Sequence, residues 1–505
     1  MRRNWLVLAL ASAALHAAVI RGTVVENQTG KPLMRAAVTL TPIAGTAGAE
    51  QSVRTNRYGT FEFLSLAAGS YLLKTSRRGF LPAEYGQRQW NSAGLPVALE
   101  ESASEFLTVR MRRYGAIAGT VRDENDVGRA EWPVRAYRNA QPPTEAASAT
   151  ADERGAYRIG GLEPGIYLVR TGPMQDEDVG FLATFGQETL EPSEARQVRV
   201  YPDEDSKNAD VRPIPGKLFT VSGVATADPP CLPVKVTLAG DMGRQMREGL
   251  ACGSGMSFEF RALPSGDYEV YAEGGDPSGS VPLRGFYTRF RVTEDLPNLS
   301  VALQPVRPTT FFVIPRQAPG ASSLGVAARR KDLAGVGEPR QLKLSDNRTA
   351  LAPGRWELLV KPPAGYYVSD FGGGPQSRDP VRPDGWNEKM VQSWGGGSFP
   401  IYLSDGPGGL HGVAKLAGEP AAGAPVYLEG YDPATRRRTL DLRTARTDLR
   451  GAYRFENVAP GTYRVLATFE YLMPDAEMMS YAGAREIRLE PRADLQMDLE
   501  LYGVR

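Results

Sequence analysis

Apolar and polar residues alternate in short runs along most of this chain, the period of two that sends successive side chains to opposite faces of a strand. Val19-Ile-Arg-Gly22-Thr-Val-Val opens as a β-rich run, Glu26-Asn-Gln-Thr-Gly30-Lys-Pro32 is a turn cluster, and Ala37-Val-Thr-Leu-Thr41 alternates again. Gly59-Thr-Phe61-Glu-Phe63-Leu-Ser-Leu-Ala-Ala-Gly69-Ser-Tyr71-Leu-Leu73 follows, reading as strand, turn and strand. With Leu95-Pro-Val-Ala-Leu99 and Phe106-Leu-Thr-Val-Arg-Met111, the pattern predicts about seven short strands in under 100 residues, which is a β-sandwich.

The pattern then repeats. Gly155-Ala-Tyr157-Arg-Ile159 leads to Pro164-Gly165-Ile-Tyr167, Met256-Ser-Phe258-Glu-Phe260 to Gly266-Asp-Tyr268, and Gly451-Ala-Tyr453-Arg-Phe455 to Pro460-Gly461-Thr-Tyr463. An eroded copy keeps Leu351-Ala-Pro-Gly354-Arg-Trp356-Glu-Leu358. The anchors Tyr71, Tyr167, Tyr268, Trp356 and Tyr463 are 96, 101, 88 and 107 residues apart, a period of one sandwich per repeat. Five units are expected, at 18–113, 114–215, 216–306, 307–405 and 406–505, the fourth degenerate with long Gly-rich loops around Phe371-Gly-Gly-Gly-Pro375 and Trp394-Gly-Gly-Gly397.

Phe61 and Phe63, like Tyr453 and Phe455, are two apart and point into one core. The Pro-Gly pairs suit a type II turn, with glycine at positive φ. The tyrosine two residues later has the position of a tyrosine corner, its ring in the core and its hydroxyl bonded to nearby backbone.

The string Gly-x-Val…Thr…Gly-x-Phe/Tyr-x-Phe/Ile…Pro-Gly-x-Tyr resembles the carboxypeptidase regulatory-like domain, a transthyretin-like (prealbumin-like) sandwich related to collagen-adhesin B-type repeats. It covers units one, two, three and five well and unit four poorly. The resemblance implies an all-β tandem array of seven-stranded prealbumin-like or Ig-like sandwiches acting as a non-catalytic accessory or surface module. In metallocarboxypeptidases such a module accompanies a catalytic domain, whose His-x-x-Glu…His zinc pattern is nowhere in this chain.

Composition changes the picture little. Charged residues are 23% and hydrophobic ones 42% of 505 residues, an ordinary globular balance. The first 17 residues have a basic start, an apolar run and a small-residue end, which reads as a secretory signal cleaved after Ala17 or Ala18. Without Arg2 and Arg3 the balance is 57 basic to 58 acidic residues, against a nucleic-acid partner. No later stretch is long and apolar enough to span a membrane, so a secreted, periplasmic or cell-surface location is expected. Cys231 and Cys252 either form a disulfide, which an exported compartment permits, or are separately buried thiols.

Reactive chemistry is sparse. After signal removal His411 is the one histidine, read as a core or edge residue, and no nucleophile elbow or phosphate-binding glycine loop occurs in a plausible context. Asp123-Glu-Asn-Asp126-Val-Gly128 fails the EF-hand pattern, with Val127 and Val134 at positions five and twelve, and is read as a hairpin turn. No catalytic residue, metal or cofactor is expected. The best ligand candidates are Tyr366, Tyr367, Trp386 and Trp394, in or beside the Gly-rich loops of unit four, where aromatics could stack on a sugar or anchor a protein. The expected function is structural, adhesive or protein-binding at the cell envelope, with a protein or polysaccharide partner. The alternatives are carbohydrate binding by unit four and an enzyme built on paired carboxylates.

Overall fold

The computed structural model describes residues 18–503 apart from 141–142, 177, 229–230, 276–281, 316–323, 373–381 and 393–395. It is 59% strand and 1% helix. One arrangement of strands recurs five times. In the first copy, Ala18–Glu26 lies between Thr60–Leu66, antiparallel to it, and Ser104–Met111, parallel to it. The facing sheet centres on Ala37–Pro42, flanked by Gln51–Arg54 and by Gly69–Ser76, which carries Tyr71. The same antiparallel-plus-parallel first strand returns as Gly115–Thr120, Leu218–Ala227, Thr309–Ile314 and Gly408–Leu416.

The fourth copy keeps this topology. Its first strand pairs in parallel with Ser398–Asp405, and only the signature strand is reduced, to Arg348–Thr349. The Gly-rich segments expected as its loops fall largely in 373–381 and 393–395, outside the described residues.

Each copy encloses a hydrophobic cluster, and the alternating signature residues line it. Phe61, Phe63, Tyr157, Ile159, Phe258, Phe260, Tyr453 and Phe455 are all buried. The rings of Phe61 and Phe63 meet edge to face at 6.0 Å, and those of Tyr453 and Phe455 at 6.1 Å. The glycine of the first strand has a steric cause. A Cβ at Gly412 would collide with the Met497 carbonyl oxygen of the closing segment, and one at Gly22 with Leu107 O and the Phe61 ring.

The corner recurs in all five copies, each time to the carbonyl four residues back. Tyr71 Oη donates to Ala67 O at 2.7 Å, Tyr167 to Glu163 at 2.7 Å, Tyr268 to Pro264 at 2.9 Å and Tyr463 to Ala459 at 2.6 Å. In the fourth copy the indole Nε1 of Trp356 does the same to Ala352 O at 2.8 Å, so the copy that looks eroded in sequence has the same device built from another ring.

The type II reading of the turn is corrected. Gly165 is not at positive φ, and Gly354 and Gly461 lie at +128° and +154°, far from the turn's usual +80°. Each of these glycines begins its strand instead. The left-handed residue sits six positions before the tyrosine, as Ser65, Gly161, Ala262 and Asn457, with φ between +51° and +75°. There the register between first and signature strands slips, a β-bulge repeated in four copies.

Two further features depart from the pattern. The fifth copy carries a helix, Ala476–Tyr481, capped by Asp475, whose side chain accepts from Met478 N at 2.7 Å. Its Met479 packs with Tyr427 and Leu466, covering the outer face of a sheet already packed on its inner face. Cys231 and Cys252 are joined by a disulfide, so the two-thiol alternative falls away.

Candidate functional site

The described aromatics among those singled out in the fourth copy lie by two different sheets. Tyr366 and Tyr367 open Tyr366–Phe371, which pairs with Ser398–Asp405 in the first-strand sheet. Both are half-buried, and Tyr366 packs on the hydrophobic cluster. Trp386 immediately precedes Asn387–Val391, which belongs to the facing sheet. Its ring lies under the Arg329 guanidinium at 4.2 Å, and its Nε1 donates to Asp441 of the fifth copy at 3.3 Å. Trp386 thus spends one face on a cation and its only donor on the next sandwich. Trp394 lies outside the described residues.

Charged groups pair at the joints between copies. Arg244 forks onto Asp332 at 2.7 and 2.9 Å, and Tyr271 Oη donates to the same carboxylate at 3.1 Å. Arg330 is held between the rings of Tyr271 and Trp356, 4.1 and 4.7 Å from their centroids. Arg355 reaches the fully buried Glu269 at 2.7 Å. This joins the third copy to the fourth with partly buried charges, which are screened less than exposed ones. Between the fourth and fifth, Arg382 donates to Pro460 O at 3.0 Å and lies 4.9 Å over the Tyr463 ring, gripping the neighbouring corner. Asn27 and the Arg113 amide meet Asp203, and Arg135 reaches Met242 O, at the earlier joints. Sequence reasoning missed these arginines because joint partners are far apart in the chain and leave no local spacing.

Reactive groups are engaged in ordinary structural roles. His411 is a half-exposed residue on a central strand, its Nδ1 3.1 Å from Asp494 Oδ1, not a core residue. The Asp123 loop is a tight turn: Asp123 Oδ1 accepts from the Asn125 and Val127 amides, both at 2.9 Å, and Asp126 is left-handed. Lys389 is buried with its amine donating to Phe371 O at 2.9 Å, and burial lowers its pKa while Asp370 works the other way. No group of three or more His, Cys, Asp or Glu placed to hold a metal occurs among the described residues. Among them, no helix is long and apolar enough to cross a membrane.

Among the described strands that end a sheet, Gly243–Ala251 and Thr144–Thr150 are two with an unpaired edge. Gly243–Ala251, exposed through most of its length, pairs only with Leu232–Gly240 and presents Met246 and Leu250 to solvent. Thr144–Thr150 pairs only with Pro133–Arg138. Such edges can add a strand from a partner.

The class these features define is a tandem array of β-sandwiches. Residues 19–110 match the family model of the carboxypeptidase regulatory-like domain. A search of curated proteins finds no match. Among solved structures, GBS52, the minor pilin of Streptococcus agalactiae, is similar over 40% of this chain and 98% of its own, at 14% identity and a TM-score of 0.26. The shaft pilin SpaA of Lactobacillus rhamnosus GG is similar over 40% of this chain and 97% of its own, at 12% identity and 0.24. BcpA, the major pilin subunit of Bacillus cereus, covers 57% of this chain and 99% of its own, at 8% and 0.17. Scores this low do not superpose the chains as wholes, so the pilins say nothing of what this chain does.

Proposed function

We propose that this chain is an exported, non-catalytic structural or adhesive protein of the cell envelope, built of five sandwiches at 18–113, 114–215, 216–306, 307–405 and 406–505, that acts through protein contacts. The observation that carries this reading is the use made of the repeated residues. In all five copies the anchor ring bonds its own backbone inside the core, so the motif that dominates the sequence is consumed by folding. Joints bridged by buried or stacked arginines suit a load-bearing array, and the free edges of Gly243–Ala251 and Thr144–Thr150 suit a protein partner.

Carbohydrate binding by the fourth copy is the second reading, supported only by the partial exposure of Tyr366, Tyr367 and Trp386. Photo-crosslinking in cells from position 247, midway along the exposed edge strand, is expected to give adducts with an envelope protein. Electrophoresis of the purified chain through gels containing soluble glucans is expected to show no retardation. Retardation abolished by Trp386→Ala or Trp394→Ala, with no crosslinked protein, would replace the first reading with the second.

A further inference from the structure

Most joints run from one sandwich to the next, but one contact joins the last to the first. Two segments more than 370 residues apart exchange main-chain hydrogen bonds: Ala93 N donates to Phe469 O at 2.7 Å, and Leu472 N to Asn91 O at 2.5 Å. Around them the ion pairs are reciprocal. Glu84 of the first sandwich takes Arg446 of the fifth at 3.2 Å, and Glu470 of the fifth takes Arg88 of the first at 3.0 Å. Both carboxylates are nearly buried, with side chains 12% and 8% exposed. Neither acid has another ion-pair partner among the described residues, and a buried carboxylate stripped of its cation is strongly destabilising.

The two faces also fit by shape. Gly423 leaves room for the Ile43 and Pro96 side chains, Leu449 lies over Gly45, and Leu449 N donates to Ala44 O at 3.2 Å. The fifth sandwich holds its half of the contact ready: Tyr427 Oη donates to Tyr471 O and Leu472 O at 2.6 and 2.8 Å. A face ordered before docking loses less entropy on docking.

We infer that this contact is a built latch that closes the five sandwiches into a ring in solution. The chain tethers both faces, so docking within one molecule is favoured over docking between molecules by the effective concentration of the linked ends. A ring holds the free edge strands at fixed mutual angles, and it occupies the terminal faces that head-to-tail addition of another copy would need. The latch goes beyond the proposed envelope role and does not depend on it.

Hydrogen exchange on the full chain reads the latch at single amides, because the Ala93 and Leu472 amides are bonded only across the contact. Both are expected to be protected in the unaltered protein. Arg446→Glu faces Glu84 with a second carboxylate and should speed exchange at both amides by about tenfold or more, while Arg446→Lys keeps them slow. Arg446 also bonds Gly423 O inside its own sandwich, so Arg88→Glu, altering a largely exposed side chain, serves as the second variant. Amides of Gly69–Ser76 and Gly461–Ala467 report that both sandwiches remain folded. Unprotected Ala93 and Leu472 amides in the unaltered chain, or protection unchanged by both Arg446→Glu and Arg88→Glu, would overturn the inference.

Discussion

Tyr463 shows what one position of the repeat does. Its ring is buried in the fifth core and its hydroxyl ties down the chain four residues back. Tyr463→Phe removes that bond and the hydroxyl's interaction with Arg382 and is expected to cost about 1 kcal/mol, whereas Tyr463→Ala leaves a cavity and should cost about 3 to 5 kcal/mol, both read from urea denaturation of the fifth sandwich's signals. Burial also pushes the Tyr463 hydroxyl up to about 12, with the Arg382 guanidinium pulling the other way, and raises Tyr71, Tyr167 and Tyr268 in the same sense. A pKa raised on folding means stability that is complete below the unfolded tyrosine's value of about 10 and lost as pH climbs through the folded one. Alkaline titration should therefore loosen the Tyr463 corner between roughly pH 10 and pH 12, and the other three tyrosine corners above about pH 10, with tyrosinate absorbance rising in step. The indole of Trp356 does not ionise there, so the fourth corner should hold longest, as its amide exchange would show. Ala262 is a different case: a side chain forced to φ +56° carries a steric cost that glycine avoids. Ala262→Gly is expected to stabilise the third sandwich by about 0.5 to 1 kcal/mol in the same denaturation assay.

Among the elements, what could be read in the sequence is what is local. Signature strand, turn and tyrosine strand stand at fixed spacing, so the alternation at Phe61 and Phe63 and the corner at Tyr71 follow from the residues alone. The left-handed bulge residue escaped notice because Ser65, Gly161, Ala262 and Asn457 share no chemistry; the backbone geometry repeats where the side chain does not. The short helix Ala476–Tyr481 was hidden for a related reason. Its one fully buried residue, Met479, gives no helical stripe to detect. The fourth sandwich was undervalued because an indole replaces a phenol at Trp356 and its signature strand shrinks to Arg348–Thr349, though the parallel pairing of its first strand and the pairing of its Trp356 strand survive. The disulfide belongs at this scale as well. Cys231 and Cys252 are 21 residues apart and close one hairpin of the third sandwich, a loop worth about 3 kcal/mol on the chain-entropy view. Cys231→Ser should lower that sandwich's stability by about this much and leave the other cores' amide protection unchanged.

Across the whole molecule, the candidate site was far less legible than the fold, because it is made by contacts between sandwiches. Trp386 reads in sequence as a loop aromatic free to meet a ligand, yet its indole is committed to Arg329 and to Asp441 of the neighbouring sandwich. Arg330, Arg355 and Arg382 carry the joints without any motif, since their partners Trp356, Glu269 and Pro460 are fixed only by how the sandwiches dock. The resulting picture is of five similar cores whose repeated residues are spent on folding and whose joints hold them together, in a chain that we propose works outside the cell's interior. That central claim is tested most directly by fractionating cells that express the chain with a C-terminal tag and weighing the recovered protein by intact mass spectrometry. The account predicts tagged protein in the envelope or medium, shortened at its N-terminus by cleavage after Ala17 or Ala18. Full-length protein retained in the cytosol would contradict it.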